Sequence, residues 1–159
     1  MTYKLGVNTS AVPAVPEIAL LRATNSDTPL TTSSVITFED NISDVTHNGI
    51  SSGLSLTSTG LSLGVGHWQV QAFLGTDNDD DTDNNIWYRW YVDGTGLTLG
   101  AGADGVSEMA GYTNTNSADA VISVDTGTVT VELKFVTVNV VSSIVLVPSY
   151  SPVVIWKVS

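Results

Sequence analysis

Few residues in this chain could bind an ion or catalyse a reaction. The densest set is the acidic run Asp77 to Asn85, DNDDDTDNN. In it Asp77, Asp79, Asp81 and Asp83 recur at every second position, as in loops that wrap oxygen ligands around Ca²⁺. The run departs from an EF-hand at two defining places. Thr82 stands where the sixth-position glycine belongs, and Tyr88 where the twelfth-position glutamate belongs. A solvated, self-repelling hairpin tip accounts for the same residues, so no metal or other cofactor is expected. His47 and His67 are the only imidazoles. Ser43 and Asp44 are near His47 in the chain, but a triad is defined by geometry and not by proximity in sequence. A loop histidine and a strand-edge histidine are the expectation. Glu17, Glu39, Glu108 and Glu132 are isolated, and the glycines of DGTGLTLGAGADG are followed by neither a lysine nor a helix pattern, so they make no phosphate cradle. No enzyme is expected.

The acidic run joins two alternating segments, and the chain is organised around them: WQVQAFLGTDNDDDTDNNIWYRWYV, residues 68 to 92. Side chains two apart in a strand share a face. Trp68, Val70, Ala72 and Leu74 therefore share one face, with Gln69, Gln71 and Phe73 opposite. Ile86, Tyr88, Trp90 and Val92 share a face of the second strand, but the opposite face carries Trp87 and Tyr91, with only Arg89 polar. One face of a strand can enter its own core, so aromatics on both faces call for a second partner. The final strand, Val153 to Val158, has the same property: Val154, Trp156 and Val158 share one face, which leaves Val153 and Ile155 on the other. Trp87, Tyr91, Val153 and Ile155 are accordingly expected at a contact with another copy of the chain.

Composition narrows the possibilities. A length of 159 residues suits one domain with a real core. Hydrophobic residues make up 42%, which excludes disorder, while charged residues make up only 13%, so Ser, Thr, Asn and Gly must build the polar surface. The net charge is −11, and Lys4, Arg22, Arg89, Lys134 and Lys157 are the only basic side chains besides the histidines. Five scattered cations cannot track a phosphate backbone, so no nucleic acid is expected as partner. The acidic balance also disfavours anionic membranes, and no apolar run approaches the ~20 residues of a membrane span. There is no cysteine, hence no disulfide framework. The N-terminal segment lacks the basic-then-apolar order of a signal peptide, which suggests synthesis in a cytoplasm without export by the general pathway.

Residues 1 to 16 read as an extended arm broken by Gly6, Pro13 and Pro16, with Tyr3, Leu5, Val7 and Val12 among its apolar side chains. The domain proper is expected over 17 to 159. Strands are predicted at 18–24, with a short helix as the alternative there, and at 35–38, 54–57, 61–63, 68–74, 86–92, 97–99, 120–124, 128–136, 144–147 and 153–158. Turn signals punctuate them at Asn48-Gly49 and Asp125-Thr126-Gly127. No helical periodicity and no long repeat interrupts them. Many short strands with frequent turns imply an all-β sandwich or jelly roll.

Three stretches carry a resemblance. Gly66-His67-Trp68 in GVGHWQVQA is similar to the G-x-Y/W pattern that opens a strand in the tumour-necrosis-factor-like jelly rolls, which include the complement globular heads. VISVDTGTVTVELKFVTVN resembles that group's paired late strands joined by a short glycine turn, and SPVVIWKV looks like its closing strand. The resemblance spans roughly residues 17 to 158 and implies a jelly-roll β-sandwich that assembles as a trimer. Many phage virion proteins look alike in composition and closing strand. The resemblance thus implies a trimeric virion structural protein, made in the host cytoplasm. As a capsid decoration (cement) protein it would have itself and the major capsid protein as partners, with Tyr3, Leu5, Val7, Val12, Pro13 and Pro16 docking the arm on the capsid. The alternative is a tail-fibre or head-fibre tip that binds a host-surface glycan or receptor.

Overall fold

The computed structural model describes residues 17–24, 33–40, 50, 52–78, 85–97, 117–139, 144–147 and 151–158. Alternating apolar and polar residues along the longer segments make them strands with one buried face. In chain order they are β1 (Glu17–Thr24), β2 (Val35–Asp40), β3 (Leu54–Leu56), β4 (Leu61–Phe73) and β5 (Thr76–Asn78). There follow β6 (Asn85–Val92), β7 (Thr95–Gly96), β8 (Ser117–Asn139), β9 (Ile144–Leu146) and β10 (Pro152–Lys157). Every pairing is antiparallel.

The order of neighbours is not the order of the chain. The last strand, β10, lies between β1 and β4, and β8 lies beside β4, β2 and β6. Following the pairings β4–β10–β1–β2–β8 leads back to β4, so the sheet closes on itself. One half is β1-β10-β4 with the first part of β8; the other is β2 and β6 on either side of the last part of β8, with β7 outside β6. Crossovers of this kind, with the first and last strands adjacent at the centre of one sheet, define the double-sheet Greek-key architecture. The fold is an all-β jelly roll. A short separate pair, β5 with β9, joins Thr76 to Leu146 and Asn78 to Ile144.

The inward faces of both halves share one core. Its first half is built from two lateral rows read directly from the register: Ala19–Ile155–Val70–Ala120 and Leu21–Val153–Ala72–Ala118, all buried. The first row carries its large side chains in the middle, Ile155 and Val70, and the second at the β1 and β10 end, Leu21 and Val153, so the opposite half packs against an uneven surface. That half contributes Ile36, Phe38, Tyr88, Trp90, Leu133 and Phe135. Phe38 stacks on Trp90 with ring centroids 5.9 Å apart, and Tyr88 meets Phe135 edge-on at 6.2 Å. The buried indole N–H groups both find carbonyls: Trp68 donates to Gly64 O and Trp90 to Ala118 O, each at 2.9 Å. The second bond ties β6 of one half to the β8 segment of the other.

Two sequence expectations are corrected here. Asp125-Thr126-Gly127 does not turn the chain; β8 runs through it without a break. Gly64 pairs with Thr128 and Gly66 with Val124, so Val65 alone faces the stretch 125–127. This is a bulge, with Gly127 at φ +71° taking the left-handed conformation that a bulge of this kind demands. The turn residues bend the strand instead of reversing it, because β4 continues alongside both parts and holds them in line. The second correction concerns Val153 and Ile155. Both are 0% exposed and fill the core rows of their own chain, so they cannot form a subunit contact. β10 sits at the centre of a sheet, where its inward face is the better shielded one.

Candidate functional site: two outward faces

The same register that builds the core rows sets the outward rows between them. On the β1-β10-β4-β8 half these are Ile18–Trp156–Gln69–Val121 and Leu20–Val154–Gln71–Asp119. Each member lies directly opposite the next, close enough for neighbouring side chains to touch. Asp119 is the only ionisable residue in the two rows. Its Oδ2 accepts from Ser117 Oγ at 3.2 Å. Val121 is 72% exposed and Ile18 42%; Leu20, Val154 and Trp156 are half-buried. Arg22 at the end of β1 is neutralised across the strand pair by Glu39, whose Oε1 accepts from Arg22 Nε at 2.8 Å. The face is therefore apolar and nearly uncharged in a protein of net charge −11, a combination that marks contact surfaces.

The second outward face belongs to β6 and the last part of β8. Trp87, Arg89 and Tyr91 form a column on β6. Arg89 pairs in register with Lys134 and Tyr91 with Glu132. Lys134 Nζ lies 2.6 Å from a Glu132 carboxylate oxygen and 5.1 Å from the centre of the Tyr91 ring. Trp87 is 40% exposed. Trp87 and Tyr91 thus lie on the face opposite Tyr88 and Trp90, as the alternation predicts, but in mixed aromatic and cationic company.

Among the described residues the others with chemical potential do not converge. His67 Nδ1 lies 2.9 Å from Ser123 Oγ on the exposed side of the first half. No carboxylate among the described residues touches His67 to orient and polarise the pair. Asp77 is placed by its backbone in β5; Asp79 to Asp83, His47 and the arm residues Tyr3, Leu5, Val7, Val12, Pro13 and Pro16 lie outside the described residues. Among the described residues no three His, Cys, Asp or Glu side chains cluster to hold a metal, and no helix is long and apolar enough to cross a membrane. Sequence inspection missed the first face. A signal was present in Val121, an apolar residue that alternation sets on the face of Ser123, opposite Ala120, Ile122 and Val124; on the last strand both faces are apolar and alternation gives no side for Val154.

No family model matches the chain, and no curated protein matches it. Among solved structures, it is similar to murine APRIL at pH 8.0, with 13% identity and a TM-score of 0.48 over 90% of this chain and 99% of that one. It is also similar to the vertex protein P5 of PRD1, with 15% identity and a TM-score of 0.47 over 92% of this chain and 100% of that one. These likenesses concern shape, and no residue role is carried over from them. The jelly roll expected from the sequence is the fold that the strand pairings show.

Proposed function

We propose that this chain is a non-enzymatic structural protein of a bacteriophage virion, a homotrimeric capsid decoration protein that reinforces the shell. The observation that supports self-association is the outward face Ile18–Trp156–Gln69–Val121 with Leu20 and Val154 beside it. Covering a large apolar side chain contributes about 1.5–3 kcal/mol before the costs of association. Five apolar side chains gather on this face, Ile18 and Val121 exposed and Leu20, Val154 and Trp156 half-buried, and a lone copy would leave their open surface in water. A closed ring of three presents a different surface on each side of every contact, so this face would meet a second surface of its neighbour. The virion setting rests on the composition, rich in Ser, Thr, Asn and Gly and free of cysteine, and on the motif resemblance. In that setting the arm of residues 1–16 grips the major capsid protein, and three arms per trimer add by avidity.

Sedimentation at micromolar concentration tests the assembly. The expected mass is three times 16.7 kDa, and Val121→Asp is expected to yield folded single copies, since Val121 lies outside the core. A wild-type chain that remains a single copy at high concentration refutes the trimer. Deleting residues 1–16 tests the docking: capsid attachment that survives the deletion unchanged refutes the role of the arm.

A further inference from the structure

From the second outward face we infer a site for acidic sugars, with Trp87 as the stacking platform and Arg89 as the carboxylate partner. The chain has five basic Lys and Arg side chains in all, and two of them, Arg89 and Lys134, stand directly opposite each other in register. Like charges in directly opposed positions destabilise a sheet. Lys134 is compensated by Glu132 and by the Tyr91 ring. Arg89 has no ion-pair partner among the described residues. It is flanked on its own strand by Trp87 and Tyr91, two residues away on either side and on the same face. A guanidinium with no carboxylate partner among the described residues, beside an exposed indole, is complementary to a ligand that joins a carboxylate to an apolar ring face. The guanidinium fork matches a carboxylate in two parallel hydrogen bonds, and an indole offers its face to the C–H side of a pyranose. A uronic or sialic acid residue has both features. A purely acidic peptide would use Arg89 but leave Trp87 without a role.

The site needs only one copy of the chain, so it stands or falls independently of the trimer. The test is titration of the protein with trigalacturonate against α-1,4-galactotriose, and with 3′-sialyllactose against lactose, followed by tryptophan fluorescence and calorimetry. At least one acid is expected to bind about tenfold more tightly than its neutral counterpart. Arg89→Gln is expected to erase that preference while the melting curve is retained, Arg89→Lys to restore part of it, and Trp87→Ala to weaken binding of acid and neutral sugar alike. The site is overturned if neither acid binds at millimolar concentration, if Arg89→Gln keeps the preference, or if an aspartate-rich peptide binds more tightly than both sugars. It is equally overturned if Trp87→Ala lowers the sedimenting mass, which would make this face the other half of a subunit contact.

Discussion

Replacing Ile155 by alanine separates a core role for the final strand from a contact role. Ile155 is 0% exposed and lies between Ala19 and Val70 in a closed row. The substitution removes three carbons, which at about 0.8 kcal/mol each is roughly 2.4 kcal/mol of lost transfer energy. Neighbours held in strands cannot collapse fully into the space, so the cavity raises the loss to about 2–5 kcal/mol. For a domain of this size each kcal/mol lowers the melting temperature by about 2–4 °C. The measurement is urea unfolding followed by tryptophan fluorescence, with sedimentation in parallel. The midpoint should fall at an unchanged slope, and the assembled mass should stay the same. Val154→Ala, one residue earlier on the outward face, should do the reverse: little loss of fold stability and weaker assembly. If Ile155→Ala costs less than about 0.5 kcal/mol and dissociates the assembly, the parity assigned to β10 is wrong.

Two glycines make a second comparison. A Cβ on Gly60 would stand 2.3 Å from the Val131 carbonyl oxygen, so Gly60→Ala should push the start of β4 off β8 and cost about 1–3 kcal/mol in thermal unfolding. A Cβ on Gly127 meets nothing within 4 Å, so Gly127→Ala should cost only the left-handed backbone penalty of about 1–2 kcal/mol, and Gly127→Asn less. Trp90→Phe keeps the ring stacked against Phe38 but deprives Ala118 O of its donor, with an expected loss of about 1–3 kcal/mol by denaturant titration.

Alternation made most of the strands legible. The faces of β4, β6 and the last part of β8 follow directly from it, as do Trp68 and Trp90 as inward residues and Trp87 as an outward one. Alternation alone does not say which of two apolar faces goes inward. On β10 both faces are apolar, and only the neighbours Ala19 and Val70 show that Ile155 is inside and Trp156 outside. The run Asp125-Thr126-Gly127 looks like a hairpin because a bulge and a turn both need a residue with positive φ; only β4, some sixty residues earlier in the chain, distinguishes them. β5 was invisible as a strand because Thr76–Asn78 is short and polar and owes its extended shape to β9. Both outward faces depend on register across strands distant in sequence. Arg89 opposite Lys134, or Val121 in line with Ile18, cannot be read from a single segment.

The pairing of β1 with β10 has a consequence for how the protein is made. Glu17 meets Lys157 and Leu21 meets Val153, so the earliest described strand is covered by the latest. Contacts that span nearly a whole chain close slowly, since loop entropy is lost before the contact is gained. During synthesis the edge of β1 that β10 covers has to wait, uncovered, until β10 has emerged from the ribosome. Crowding of unfinished chains during that interval, rather than fragility of the finished sandwich, is where losses in yield should concentrate.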